Sequence, residues 1–172
     1  MHTISDEIIF DYLANWPNRI PELARYAYDE WGALFKSKGQ NYEDALSSYR
    51  ERANIDSLPL TLVALHDGNV IGTASLKIHD LDIRPEITPW LGGVFVVPQW
   101  RRRGIATQLI GRAIDEAHRL HVSELYLWTP SAKSLYERLG WSELERLKYC
   151  GYEISVMKRE ISANRQPPAR VA

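Results

Sequence analysis

The chain has few of the features that mark the more specialised classes of protein. Its 172 residues include one cysteine, Cys150, which excludes an internal disulfide framework and a zinc cluster built on cysteines. No run of about 18 apolar residues is present, and the first residues lack the basic and apolar regions of a signal peptide. A formal net charge of −1 gives no general attraction to nucleic acid or to an anionic membrane. We therefore expect a cytoplasmic protein without a nucleic-acid or membrane partner.

Length and composition predict one globular domain, residues 1–161, followed by a flexible tail, residues 162–172, with too little apolar material to pack. The charges are unevenly distributed. Residues 1–97 hold 14 acidic and 8 basic residues, whereas residues 98–172 hold 8 acidic and 13 basic. This asymmetry suits a cationic substrate that meets a phosphorylated cofactor, although an ordinary solvated surface explains the same charges equally well.

Apolar periodicity and turn residues predict the order β-α-α-β-β-β-α-β-α-β-β, a mixed α+β fold with a largely antiparallel sheet. The predicted strands are 7–13, 60–66, 70–78, 89–97, 124–128, 141–149 and 152–158, and the predicted helices are 21–31, 41–52, 104–120 and 131–139. Asn41 and Ser131 are expected to cap helices, Gly140 to end the last one, and Asp67-Gly68-Asn69 to form a hairpin turn. Strands 89–97 and 124–128 could form one parallel pair across a helix.

The most informative stretch is residues 94–106, Val-Phe-Val-Val-Pro-Gln-Trp-Arg-Arg-Arg-Gly-Ile-Ala. It predicts an apolar strand, a loop rich in arginine, and the N-terminus of a helix, whose unpaired N–H groups and dipole attract an anion. Gly104 has no Cβ and lets the backbone approach such a group closely. The spacing fits neither of the common glycine-rich nucleotide loops. A basic turn that only caps a helix is the simpler alternative, and three arginines are fewer than nucleic-acid patches require.

Arg101-x-x-Gly104-x-Ala106 fits the pattern R/Q-x-x-G-x-G/A and resembles the pyrophosphate loop of the GNAT superfamily of N-acetyltransferases. The segment 131–141 resembles the second signature of that superfamily, N-A-x-x-L-Y-x-x-x-G-F/W, with a serine where asparagine is commoner. The residues in register with this signature are Ala132, Leu135, Tyr136, Gly140 and Trp141. The order of elements resembles the GNAT fold up to about residue 160, so the resemblance covers nearly the whole chain.

The resemblance implies acetyl-CoA as co-substrate, without a metal. We expect main-chain groups of the strand before the loop to hold its pantetheine arm in a slot where that strand splays from its neighbour. The expected cofactor contacts are Phe95, Val96, Val97, Arg101, Arg102, Arg103, Gly104, Ile105, Ala106, Thr107, Ser131, Lys133 and Ser134. Gly92-Gly93 indicates a bulge that frees amides in this strand, or else only relieves crowding against Trp90.

Acetyl transfer needs a neutral amine, stabilisation of the carbonyl oxygen, and a proton for the departing thiolate. The resemblance assigns the last role to Tyr136, for which the alternative is a tyrosine that merely packs in its helix. We expect direct transfer in a ternary complex, because Cys150 lies near a turn outside the proposed slot.

Glu86 is the first choice for the general base, and His79, Asp80 and Asp82 occupy the same connection. Asp29 and Trp31, with Glu30 between them, could form part of an acceptor pocket at the end of the first helix. Carboxylates in such positions are most often only solvated. His118 and His121 lack the spacing of a metal-binding helix, so no metal site is predicted.

The sequence thus predicts an N-acetyltransferase that acts on a primary amine, which we expect to be a small molecule such as an aminoglycoside, a polyamine or an amino-acid derivative. Acetylation of a protein N-terminus or a lysine is an alternative, and a non-catalytic acyl-CoA sensor is an alternative from a different class. The residues leave open whether the chain forms a homodimer.

Overall fold

The computed structural model describes residues 7–161, and the predicted tail lies outside them. The strands are β1 Ile9–Tyr12, β2 Leu60–His66, β3 Asn69–Lys77, β4 Trp90–Val96, β5 Glu124–Thr129, β6 Ser142–Tyr149 and β7 Tyr152–Glu160. The helices are α1 Ile20–Glu30, α2 Gly32–Ser37, α3 Tyr42–Glu51, α4 Ile105–Arg119 and α5 Lys133–Arg138.

The seven strands form one sheet in the order β1-β2-β3-β4-β5-β7-β6. Every neighbouring pair is antiparallel except β4 and β5, which are parallel. The predicted α+β fold is therefore confirmed. The prediction missed one α-helix, α2, because its six residues are too few to show a helical repeat.

Helices cover both faces of the sheet. The apolar stripe of α4, which includes Ile105, Leu109 and Ala113, packs on one face with β2, β3, β4 and β5. Helices α1 and α3 pack on the other face, where Leu23 and Tyr49 belong to a second apolar cluster. This arrangement fixes α1 and α3 above the side of β4 that faces away from α4.

Local sequence explains the boundaries of several elements. Asn41 accepts the N–H of Asp44, and the Asp44 carboxylate accepts the N–H of Asn41, so the predicted cap of α3 is a full capping box. Asp67 and Gly68 both have positive φ, which matches a two-residue turn between β2 and β3. Gly140 follows α5 with a φ of 90°, as the prediction required.

Strand β4 carries two irregularities that shape the site. Thr73 pairs with Phe95 and Ser75 pairs with Gly92, so two residues of β4 oppose one residue of β3. This is a bulge, with Gly93 at a φ of 60°. On the other side, β4 and β5 pair only at Trp90 and Tyr126 and separate beyond that point. A slot therefore opens along β4, as the resemblance implied.

Candidate active site

A cleft of about 890 Å³ extends from the slot between β4 and β5 to the space beneath α1, α2 and α3. The bulge of β4 lies in its wall. Six of the predicted site residues line this cleft: Trp31, His79, Asp80, Asp82, Ser131 and Tyr136. The arginine loop does not line it and follows the far end of β4.

The N-terminus of α4 has the geometry of an anion site. Gly104 forms the cap in a left-handed conformation, with a φ of 76°, and no side chain caps the helix. The N–H groups of Ile105, Ala106 and Thr107 therefore keep their capacity to bind a ligand. The side chain of Ile105 is buried in the core, so this residue offers a ligand its backbone only. A Cβ on Gly104 would meet no atom within 4 Å, so its left-handed backbone is what favours glycine.

The three arginines of the loop have different environments. Arg101 donates from Nε to the carbonyl of Val96 at 2.8 Å and lies 3.7 Å from the carboxylate of Glu30. Its main contact is therefore with the protein, and it holds the loop against β4. Arg103 lies over the ring of Trp100 at 4.6 Å, and Arg102 is exposed.

The backbone N–H groups of β4 alternate between the edge that pairs with β3 and the edge that faces the slot. Val97 donates its N–H to Ile71 of β3, so that group is not available to pantetheine. Successive amides of a strand point to opposite edges, which directs the Phe95 N–H toward β3 and the Val96 N–H toward the slot. Of the three residues expected to contact pantetheine on this strand, Val96 has its N–H directed toward the slot, whereas the N–H groups of Phe95 and Val97 point toward β3.

Tyr136 lies in the wall of the cleft with 8% of its surface exposed. Its ring packs edge-on against Trp141. Among residues 7–161 its hydroxyl has no hydrogen-bond partner, so it is free to bind a group in the cleft. Burial raises the pKa of Tyr136 to about 12, which keeps the hydroxyl protonated and able to donate at neutral pH.

Ser131 does not cap α5. Thr129, the last residue of β5, accepts the N–H groups of Ser131 and Ala132 at its side-chain oxygen instead. The helix begins at Lys133, two residues after the predicted cap, because the strand ends close enough for Thr129 to satisfy these donors. Lys133 lies within 4 Å of Glu137 and Glu143, and Ser134 is exposed.

Asp80 lies at the bulge. Its Oδ1 accepts a hydrogen bond from Lys77 Nζ at 2.7 Å, and its backbone carbonyl accepts the indole N–H of Trp128 at 3.3 Å. A Cβ on Gly92 would lie 2.7 Å from Asp80 Oδ2, so only glycine leaves room for the carboxylate. Gly92 therefore accommodates Asp80, a reason that the sequence did not reveal.

The structure does not bring Glu86 or Asp29 to the cleft; both side chains are exposed and line no part of it. Leu81 is buried in the core, which turns Asp80 and Asp82 toward the cleft on either side of it. Arg84 then binds Glu145 of β6 through two hydrogen bonds, which leaves the rest of the connection on the outer surface.

Several cleft residues were missed by the sequence reasoning. Tyr149 and Trp128 form an edge-on aromatic pair at 5.4 Å, and Lys38 lies 5.1 Å from the Tyr149 ring. Tyr49 and Arg52 come from the last turn and the end of α3. Neither residue belongs to a motif. The only signal for them in the sequence is that they lie on or next to the apolar face of α3.

The pairing of charges in the cleft is also informative. Four acidic residues line the cleft, and three of them have a basic partner within 4 Å: Glu30 with Arg101, Asp80 with Lys77, and Asp82 with Lys38. Burial lowers the pKa of Lys77; the charge of Asp80 opposes this shift and the charge of Arg52 adds to it.

Among residues 7–161, no group of three metal-binding side chains could hold a metal ion. Within the same part of the chain, no helix is both long and apolar enough to cross a membrane.

Comparison with known proteins gives consistent results. The model of the acetyltransferase (GNAT) family matches residues 18–141. Aminoglycoside N(6′)-acetyltransferase type 1 of Salmonella typhimurium is 29% identical over 137 residues, which are 74% of this chain and 94% of the relative. The protein of the same name from Salmonella enteritidis is 28% identical over the same length.

Two solved structures show the fold. Aminoglycoside 6′-acetyltransferase type Ii superposes with a TM-score of 0.70 at 17% identity, covering 90% of this chain and 97% of that one. A putative acetyltransferase of Salmonella typhimurium, solved with its cofactor acetyl-CoA, gives a TM-score of 0.66 at 20% identity and covers 94% of this chain and 98% of the other. The family match spans well over half of the chain. The chain therefore belongs to the acetyltransferase (GNAT) family, which confirms the prediction of an acyltransferase that uses acetyl-CoA.

Proposed function

We propose that the chain transfers the acetyl group of acetyl-CoA directly to a primary amine of a small molecule, with both substrates bound together. One observation carries this proposal. The slot between β4 and β5 opens into a cleft where the unpartnered hydroxyl of Tyr136 and the carboxylate of Asp80 both lie at the wall. The relatives named aminoglycoside N(6′)-acetyltransferase support a small molecule as the acceptor.

The residues present fit a CoA thioester. The uncapped N-terminus of α4, with Gly104 in its left-handed conformation, would hold the pyrophosphate, and Arg102 and Arg103 would add positive charge from the rim. The Val96 N–H would bind the pantetheine arm from the open edge of β4. The bulge at Gly93 would present backbone N–H groups to the carbonyl oxygen as it gains charge.

Asp80 is the proposed proton acceptor in place of Glu86. Lys77 binds Oδ1 and leaves Oδ2 toward the bulge, where an acceptor amine must approach the thioester. An alkylammonium group has a pKa of about 10.4, so it must lose a proton before it attacks. Asp80 accepts that proton, directly or through water, and passes it to solvent.

The neutral amine then forms the C–N bond while the C–S bond breaks. Tyr136 donates its proton to the departing thiolate sulfur, and the second proton lost by the nitrogen returns through water to the tyrosine oxygen. The reaction produces an amide and free CoA, and no residue of the chain is acylated.

A thiol-release assay with acetyl-CoA tests the proposal against aminoglycosides, polyamines, amino acids and peptides with free N-termini. We expect turnover on small amines, and a fall in turnover number for Tyr136→Phe and Asp80→Asn. The matched control is Glu86→Gln, which removes an exposed carboxylate from the same connection and should leave the pH–rate profile unchanged. Turnover on peptides alone would contradict a small-molecule acceptor. Tight acetyl-CoA binding without turnover on any amine would contradict catalysis.

A further inference from the structure

Arg52 is a buried cation in the cleft that the proposed reaction does not use. It follows the last residue of α3, lines the cleft, and has only 7% of its surface exposed. Its Nε–H is buried without a hydrogen-bond partner, and no acidic side chain lies within salt-bridge distance of it among residues 7–161. A buried charge without a counter-charge is costly, so stability does not explain the presence of Arg52 in the cleft.

The nearest groups do not neutralise this charge. The guanidinium lies 4.3 Å from the ring of Tyr49, a cation–π contact that stabilises the cation but provides no counter-charge. Lys77, a half-buried cation of the same cleft, is paired with Asp80. Arg52 and Lys77 therefore share the carboxylate of Asp80 in this part of the cleft. The remaining acid of the cleft, Glu51, is exposed to solvent, so the buried charges here have an excess of one positive charge.

Tyr49 connects Arg52 to the position of the reaction. Its hydroxyl oxygen lies 3.9 Å from the place of a Cβ on Gly93, at the bulge of β4. Arg52 therefore lies over a tyrosine whose hydroxyl reaches the strand that would hold the thioester. Asp80 Oδ2 lies on the same bulge, beside Gly92. An anionic site and a cationic site therefore lie a short distance apart.

We propose that the acceptor is an amine that also carries a carboxylate, with its amine at Asp80 and its carboxylate bound by Arg52. This inference rests on the proposed function and names its substrate class. A planar guanidinium binds a carboxylate through two parallel hydrogen bonds, which would supply the counter-charge that Arg52 lacks. A polycation is a poorer fit, because three of the four acidic residues in the cleft already have basic partners.

Matched pairs of acceptors test this proposal. ω-Amino acids of increasing length are compared with the corresponding ω-amino amides, which keep the shape and the amine but lose the negative charge. We expect the wild type to show at least a tenfold higher kcat/KM for the acid at the best chain length. The corresponding aminoalkylphosphonates are run alongside, and a preference for phosphonate over carboxylate would overturn the assignment.

Arg52→Met keeps the apolar stem over Tyr49 and removes the charge, so it should abolish the preference for the acid over the amide. Arg52→Lys keeps the positive charge but loses the planar guanidinium, so its ratio of kcat/KM for acid and amide should be intermediate. Arg50→Met is the matched control, because Arg50 is exposed two residues earlier and its loss should not alter the ratio. An unchanged affinity for acetyl-CoA shows that each variant is folded.

The two proposals fail in different ways. Equal kcat/KM for acid and amide in the wild type, or a preference that survives in Arg52→Met, would overturn the carboxylate site and leave the acetyltransferase in place. The absence of turnover on every amine would instead overturn the proposed function. Calorimetric titration of the amino acids into the CoA-bound protein then decides the carboxylate site alone: binding lost in Arg52→Met supports it, and no binding to the wild type refutes it.

Discussion

Gly92→Ala is expected to displace Asp80 without touching either substrate directly. The new Cβ would lie 2.7 Å from Asp80 Oδ2, 3.2 Å from its Cγ and 3.3 Å from Lys77 Cδ. A comfortable contact needs a longer separation, so the carboxylate must move by about 0.5–1 Å. That movement strains the 2.7 Å hydrogen bond between Asp80 and Lys77. The side chains of Lys77 and Asp80 are only 19% and 16% exposed, so water replaces this bond poorly. We expect a loss of about 1–2 kcal/mol in the free energy of unfolding.

The effect on catalysis should be larger than the effect on stability. Displacement of a catalytic group by about 1 Å can cost about 100-fold in rate. Steady-state kinetics should therefore show a turnover number lower by about 10- to 100-fold, with an unchanged dissociation constant for acetyl-CoA. Gly111→Ala is the matched control, since a Cβ there meets no atom within 4 Å and the position lies inside α4. It should stabilise the protein by about 0.5–1 kcal/mol and leave the rate unchanged.

A double-mutant cycle separates this explanation from a general disturbance of β4. If Gly92→Ala acts through Asp80, it should lower the turnover number by no more than about twofold in an Asp80→Asn background, because the two changes then share one cause. Full additivity would show that the alanine acts on the strand itself. A single variant with wild-type turnover and stability would refute both the contact and the role given to Asp80.

The remaining predictions concern the thiolate acid, the pyrophosphate loop and the cap of α5. Tyr136→Phe should lower kcat by about 10- to 100-fold at constant acetyl-CoA affinity. Because the Tyr136 pKa is about 12 when folded and about 10 when unfolded, its contribution to stability is complete below pH 10 and lost between pH 10 and 12. Denaturation curves of Tyr136→Phe should therefore lack the loss of stability that the wild type shows between pH 10 and 12. The same pH dependence in both proteins would contradict this prediction. Gly104→Ala and Gly151→Ala each force a side chain onto positive φ and should each cost about 1 kcal/mol, but calorimetry should show weakened acetyl-CoA binding only for Gly104. Thr129→Val should cost about 1 kcal/mol in urea denaturation whereas Ser131→Ala should cost almost nothing, and the reverse order would restore Ser131 as the cap.

The cofactor side of the site could be predicted because the residues that determine it are contiguous in the sequence. Gly104 needs its left-handed backbone, and α4 follows at once with a clear apolar stripe, so strand, loop and helix can be read from one segment. The bulge was also visible as two adjacent glycines. Local sequence could not show to which edge of β4 each backbone N–H points. The extra residue of the bulge switches the edge for every N–H that follows it. The sequence therefore pointed to Phe95, Val96 and Val97 together, whereas in the structure only Val96 of these three directs its N–H toward the slot.

The acceptor side could not be predicted because its residues come from segments that only the topology joins. Asp80 and Glu86 are equivalent in the sequence, two acids in one polar connection. The burial of Leu81 and the contact between Arg84 and Glu145 separate them, and both depend on β6 lying near that connection. Arg52 is an ordinary residue at the end of a helix until the helix is placed over the bulge.

The charge of the first half of the chain is a poor guide to the acceptor for the same reason. Residues 1–97 have an excess of acidic residues, which favours a cationic substrate if the charges are simply summed. In the cleft, Asp82 and Asp80 are paired with Lys38 and Lys77, which come from that same half, so much of the excess lies elsewhere on the surface. Two charges that line the cleft have no ion-pair partner among residues 7–161: Glu51, which is exposed to solvent, and Arg52, which is buried and positive. A ligand is selected by unpaired charges at the distance of a hydrogen bond and hardly at all by the net charge of a domain, since solvent and salt screen the rest. The pairing pattern of the cleft therefore favours an acceptor with charges of both signs over a polycation.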